Sequence, residues 1–334
     1  MRISRTVAAP AGIALALALA GCGSLDANTD GGGDTAIDEL SIVVPAAPGG
    51  GWDQTGRALQ ADLQAEGLVG RATVTNVDGA GGTVGLANIA NATDPNTLLV
   101  MGLVMVGAVE TNESQARIED TTPIARLTEE QEVVVVPKES PYDTVEDLVR
   151  DIEENGKDVT VTGGSAGGAD HILAGMLLKS AGMSEDDIAA DLNYVAYSGG
   201  GESLAALLGN KVDAGISGVA EYAEQVEAGE LKALAVSGGE RVAALPDTPT
   251  LTESGYDVVL TNWRGVVAPG GIDDADREAL VAAVTDLAES DAWASTLQEY
   301  GWADAFLAGD EFDTYLTDDI AEVRTTLRDI GLVR

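Results

Sequence analysis

The chain has 334 residues and carries 56 acidic against 18 basic side chains, a formal net charge of −38. No basic stripe is available to neutralise phosphates, which argues against nucleic acid as a partner. One cysteine and one histidine leave no internal disulfide, no CxxC redox pair and no metal cluster of thiolates or histidines, and no cofactor is expected.

The N-terminus sets the compartment. Arg2 and Arg5 precede a run of small and apolar residues over positions 7–20, and Leu19-Ala20-Gly21-Cys22 follows. The run is too short to span a bilayer comfortably and reads as a signal peptide over residues 1–21. A buried core helix is the weaker reading of an N-terminal apolar run flanked by arginines. The tetrapeptide is similar to a bacterial lipobox, in which cleavage precedes a cysteine that receives a diacylglycerol anchor. Cys22 is the expected lipidation site, and a spare exposed thiol is the weaker alternative. Residues 22–39 read as a lipidated, flexible tether, because 28–38 are rich in Gly, Asp and Thr without apolar periodicity. No other segment reaches membrane-spanning length. The mature body is expected outside the cytoplasm, held at the cell membrane by its lipid.

From residue 40 onwards, short β-type runs alternate with amphipathic stretches. Strands are predicted at 40–44, 73–77, 97–101, 133–136, 159–162, 192–195, 214–217 and 231–236. Helices are predicted at 54–66, 84–92, 145–154, 172–181, 203–208 and 219–227, and the apolar stretch 98–109 reads as a buried strand entering a helix. Residues 273–332 read as nearly all helix, packing back on the first domain. This alternation predicts an α/β architecture with parallel sheets, long enough for two domains sharing a cleft. No short fixed repeat appears, which argues against a solenoid. The acidic side chains are scattered along the helices, and solubility is the better reading of the charge. An anionic ligand would then have to be bound mainly by local backbone dipoles.

Four glycine-rich segments carry the chemistry: Ala46-Ala47-Pro48-Gly49-Gly50-Gly51-Trp52-Asp53, Asp78-Gly79-Ala80-Gly81-Gly82-Thr83, Gly163-Gly164-Ser165-Ala166-Gly167-Gly168-Ala169-Asp170 and Ser198-Gly199-Gly200-Gly201-Glu202-Ser203. Each follows a predicted strand and opens a predicted helix. Glycine lets the backbone turn tightly and approach a ligand closely. A helix start adds unpaired N–H groups and a positive partial charge, which together make an anion site. One such loop is weak support, but four favour binding over ordinary turn chemistry. They are not a nucleotide motif, since Val84 stands where GxGxxG needs its third glycine and no GxxxxGK[ST] occurs.

Catalysis has less support. Ser165 and Ser198 lack the G-x-S-x-G elbow, and Ser165 with His171 makes a nucleophile–base pair only if the fold joins their side chains. No carboxylate pair stands out. Among the few aromatics, Trp52 within the first glycine segment is expected in a cleft and Tyr197 lies beside the fourth. Trp263 is as consistent with core packing as with ligand contact.

Several segments taken in order resemble the extracytoplasmic solute-binding subunits of tripartite tricarboxylate transporters, the Bug family. They are Val43-Val44-Pro45 with Pro48–Asp53, Asn76 with Gly79–Gly85, Gly164–Gly168 with His171, Gly209-Asn210-Lys211-Val212-Asp213-Ala214, and Asn262-Trp263-Arg264-Gly265. The last segment and the Gly51-Trp52-Asp53 variant look most like the tricarboxylate-binding branch. Asp78 stands where that pattern has proline.

The resemblance implies a periplasmic-binding-protein-like fold of type II, a Venus flytrap of two α/β domains with a double crossover. Domain 1 would comprise 40–137 plus 263–334, and domain 2 would comprise 138–262. It also implies that Gly49, Gly50, Gly51 and Asp53, with Gly79, Ala80, Gly81, Gly82 and Thr83, hold ligand carboxylates, beside the cleft aromatic Trp52. From the other domain would come Ser165, Ala166, Gly167, His171, Ser198, Gly199 and Gly200. The implied protein is a monomer and no enzyme, handing a citrate-like di- or tricarboxylate to integral membrane subunits. Alternatives are a binder of another small acid, such as an amino acid or aromatic acid, a sensor, or a secreted serine hydrolase.

The lipobox yields a direct expectation. Cell fractionation of a Cys22→Ser variant should show the mature protein released from the membrane. Retention through a processed N-terminus as before would contradict the anchor.

Overall fold

The computed structural model describes residues 37–197 and 199–333. The expected signal peptide, Cys22, most of the tether and Ser198 lie outside the described residues.

Burial follows strand geometry at the start of the body. β1 (Glu39–Val44) buries Leu40, Ile42 and Val44 on one face, the alternation that a half-covered strand requires. β3 (Thr97–Gly102) is buried at every position, as a strand covered on both faces must be. β2 (Arg71–Asn76), β1 and β3 pair in parallel. α1 (Gly51–Ala65) and α2 (Thr83–Ala90) connect them. α3 (Leu103–Thr111) leaves β3 without a loop, matching the strand-into-helix reading of 98–109.

The long strand β4 (Thr122–Pro137) follows. After it come α4 (Val145–Asn155), β5 (Thr160–Gly163), α5 (Ala169–Ser180), α6 (Glu185–Asp191), β6 (Asn193–Ala196) and α7 (Gly200–Leu208). β7 (Ala214–Gly218), α8 (Val219–Glu227), β8 (Leu231–Val236) and β9 (Thr261–Ala268) lead to α9 (Asp274–Ala288), α10 (Asp291–Tyr300), β10 (Ala303–Ala308) and α11 (Gly309–Asp329).

β4 joins two sets of strands. Its residues 122–131 pair with β9 and 125–129 with β10, whereas 132–135 pair with β7 and 133–137 with β8. The sheet runs β2-β1-β3-β9-β4-β7-β5-β6, with β8 and β10 also on β4. In the second half of β4, Val134 and Val136 face the main apolar core, and Val133 and Val135 face a second cluster with Leu207, Tyr222 and Val236. Both faces are therefore covered by helices.

Three expectations are corrected. The sheet is mixed, because β9 runs antiparallel to β3 and β4, and β4 runs antiparallel to β7, β8 and β10. β4 begins eleven residues before the predicted 133–136 strand, since Thr122 to Glu132 find ladder partners despite their polarity; partners outweigh local propensity in a sheet. The helical tail is interrupted by β10, which closes the edge of the first half of β4.

β4 also buries charge. Glu132 is fully buried, beside the side chains of Asn262 and Asp170. Burial, then the charges of Asp170, Glu130 and Glu221, push Glu132 well above the usual carboxylate range. Burial pushes Asp170, at the start of α5, up to about 7, although the Gly164 amide favours its charged form. Asp170 thus holds a proton in the folded state that the unfolded chain gives up. Its stabilisation is complete below its ordinary value of 3.8 and is lost as pH rises through about 7. Thermal melts at about pH 5 and about pH 8 should show a smaller drop for Asp170→Asn than for the parent chain. An identical drop would contradict the assignment.

Candidate functional site

Four helix starts converge on one cleft of about 640 Å³, within the usual range for small-molecule sites, roughly 300–1,000 Å³. The loops that follow β1, β2, β5 and β6 open α1, a short 3-10 turn (Ala80–Gly82) leading to α2, α5 and α7 respectively. All four loops line the cleft. β1 and β2 run in the direction of β4 beside its first half, and β5 and β6 run against it beside its second half, so the two pairs of carboxyl ends face each other at the middle of β4 and bring the helix starts together.

Local chemistry shapes each loop. In the second, Gly79, Ala80, Gly81 and Gly82 have φ of 143°, 50°, 62° and 91°, a left-handed run that side chains beyond glycine tolerate poorly. Asn112, which follows α3, donates from Nδ2 to Ala80 O at 2.9 Å and pins that run. Thr111 at the end of α3 reaches Ala166 O at 3.4 Å, so one helix terminus touches both the second and the third loop.

Of the residues implicated by sequence, Gly49, Gly50, Gly51, Trp52, Gly79, Ala80, Gly81, Gly82, Ser165, Ala166, Gly199 and Gly200 line the cleft. Trp52 packs against the backbone of Gly82, where a Cβ would come within 2.8 Å of the ring. Asp53, Thr83, Gly167 and His171 do not line the cleft, and each has a structural task. Asp53 accepts from Gly49 N, Arg57 Nε and Asn76 Nδ2, all at 2.9 Å. Burial opposes its ionisation, but these bonds outweigh it and hold the carboxyl below its usual range. Thr83 donates to Ala80 O at 3.0 Å. Gly167 N donates to His171 Nδ1 at 3.1 Å, and the His171 ring stacks on Tyr194 at 4.0 Å. Burial lowers His171 to about 4, so the imidazole is neutral. Among the described residues no hydrogen bond joins the side chains of Ser165 and His171, which removes the support for a nucleophile–base pair. Tyr197 lines the cleft. Trp263 is core, edge-on to Phe312 and Tyr315, with Nε1 on Asp319.

Sequence reasoning missed the polar floor. Glu130 of β4, Asp170 of α5, Ser217 of β7, Glu221 of α8, and Asn262 and Arg264 of β9 all line the cleft. Asn262 and Arg264 share a face because strand side chains alternate. Arg264 forms a buried ion pair with Glu130, a pair whose rupture would leave an uncompensated buried charge, worth about 3–5 kcal/mol. Internal carboxylates already attend three of the loops. Gly49 N donates to Asp53 and Gly164 N to Asp170. The Glu221 carboxylate, bonded by Ser217 Oγ at 2.6 Å, lies where a Gly200 side chain would be. The second loop receives no bond from Asp53, Asp170 or Glu221. Asp170 had a local signal, an acid directly after Gly167-Gly168-Ala169, and Asn262 and Arg264 stand in the singled-out segment Asn262–Gly265. Glu130 reaches the cleft through the pairing of β4, and Glu221 from the first turn of α8.

Comparison with known proteins agrees with this geometry. The family model described as tripartite tricarboxylate transporter family receptor matches residues 57–332. A UPF0065 protein in the TAR-I ttuE-ttuC' intergenic region of Agrobacterium vitis is 34% identical over 251 residues, 73% of this chain and 70% of that protein. In fold, the chain is similar to MatC from Rhodopseudomonas palustris with bound malate, at 24% identity and TM-score 0.74, covering 89% of this chain and 99% of that one. It is also similar to R. palustris Rpa4515 with adipate, at 22% identity and TM-score 0.78, with the same coverage. These likenesses establish a mixed α/β, periplasmic-binding-protein-like fold. The chain belongs to the tripartite tricarboxylate transporter receptor family.

Proposed function

We propose that this protein is an extracytoplasmic solute-binding lipoprotein that captures a small di- or tricarboxylate and delivers it to the membrane subunits of a tripartite tricarboxylate transporter. The convergence of four glycine-rich helix starts on one cleft carries this reading. Their first-turn N–H groups have no intrahelical partner and need an acceptor. A carboxylate supplies two oxygens and the negative charge that the helix dipole favours. Malate and adipate, held by the two structures of similar fold, are small dicarboxylates and support that ligand class.

The protein acts as a monomeric binder and not as an enzyme, with Cys22 carrying the lipid. Segments 40–137 plus 263–334 and segment 138–262 form two lobes that close on the ligand, because only a closed cleft brings the loops of both onto one molecule.

An anion at a helix start gains roughly 0.3–2 kcal/mol, and each charge-assisted amide bond adds about 1.5–3 kcal/mol. Several such bonds, less the cost of association, give micromolar binding, about −8 kcal/mol. Gly50 is the clean place to block them, since a Cβ there meets nothing within 4 Å and would project into open space. Gly81 is a poor choice, because its Cβ would strike Ala108 and its φ is +62°. By isothermal titration with malate, adipate and citrate, at least one acid should bind and its methyl esters should not. Gly50→Val should keep its thermal midpoint and lose about tenfold or more in affinity. Equal binding of acid and ester, or undiminished binding by Gly50→Val, would contradict the proposal.

A further inference from the structure

We infer that α3 is the spacer that fixes the distance between the second and third glycine loops, and thereby selects the carbon-chain length of the diacid that bridges the cleft. This deepens the carboxylate reading above and rests on it.

Two stripes, offset by a single residue, run along α3. Val104, Gly107 and Thr111 recur at the three- and four-residue intervals that share a helix face, and all of them meet the third loop. A Cβ on Gly168 would lie 3.2 Å from Val104 Cγ1, one on Gly107 would collide with Gly167 O, and one on Gly167 would collide with the Thr111 side chain. Thr111 Oγ1, bonded to Gly107 O at 3.1 Å, also reaches Ala166 O at 3.4 Å. Met105, Ala108 and Asn112 repeat the spacing a residue later and meet the second loop. A Cβ on Gly82 would lie 2.9 Å from Met105 Cε, one on Gly81 would strike Ala108 Cβ, and Asn112 Nδ2 holds Ala80 O. The two loops also face each other closely, since a Cβ on Gly81 would lie 3.5 Å from Ser165 Cβ.

The helix is stiffly mounted. β3 is buried at every position and runs into α3 without a loop, and Met105, Val106, Gly107, Ala108 and Val109 are buried. A close-packed interior of this kind transmits a displacement instead of absorbing it. In the two-lobed reading, α3 and the second loop belong to one lobe and the third loop to the other. Gly107 against Gly167 is then the stop that ends closure, backbone on backbone, and the missing side chain at Gly107 permits that approach. Where closure stops decides how far apart the two sets of loop amides stand. A diacid must place a carboxylate on each set, and hydrogen bonds weaken steeply away from their preferred distance and angle. A carbon chain too short or too long therefore loses bonds at one end.

The test is a length series, succinate, glutarate, adipate and pimelate, titrated calorimetrically into the mature full-length chain and into its Gly107→Ala variant. Alanine favours helix over glycine, so α3 keeps its form while the added methyl wedges the third loop away from the second. The variant should prefer a longer acid than the parent does, with the longer-to-shorter affinity ratio raised about fivefold or more. If Gly107→Ala does not fold, Thr111→Ile, at a half-buried position of the same stripe, is read in its place with the shift in the same direction. An unchanged ratio, a loss of affinity shared by every length, or a shift to shorter acids would overturn the spacer and leave the carboxylate reading standing. No binding of any acid by the parent chain would overturn both.

Discussion

Four helices begin at the rim of one cleft, and the unpaired N–H groups of their first turns must find acceptors there. That requirement orders the rest of the chain. The parallel pair β1 and β2 and the oppositely running parallel pair β5 and β6 bring the starts together from two sides, and glycine keeps side chains out of the way. β4 makes the arrangement possible, because it pairs with β9 and β10 along its first half and with β7 and β8 along its second. A shorter β4 would leave two unconnected strand sets and two separate pairs of loops.

The amides are not all held in reserve for a ligand. Asp53 and Asp170 each take one loop amide, and Glu221 lies against the start of α7. These carboxylates stiffen the loops. The second loop is built differently, held in left-handed conformations by Asn112 and packed against Trp52. The cleft therefore has donor-rich and acceptor-rich regions.

Much of this was legible in the sequence because it is local. A glycine run between a β-type stretch and an amphipathic stretch marks a strand–loop–helix junction whatever the partners are, and all four junctions stand where the residues put them. The strand-into-helix passage at 98–109 is equally local. Long-range pairing was not legible. Glu129, Glu130 and Gln131 are polar and become strand because β9 pairs with all three and β10 with Glu129. The same pairing carries Glu130 and Arg264 into the cleft, 134 residues apart. His171 and Asp53 stood beside the right glycines but turn to the backbone of their own loops, a choice that side-chain direction decides and spacing alone does not.

The central claim is that a carboxylate binds to the amides of these glycine loops. Nitrogen–proton correlation spectra of the labelled protein, recorded during titration with a dicarboxylate that binds, test it residue by residue. The account predicts the largest shifts at Gly50, Gly51, Ala80, Gly81, Ser165 and Ala166, with the amides of α9 and α10 unmoved. Saturable shifts confined to other parts of the protein, with these six amides unchanged, would contradict it.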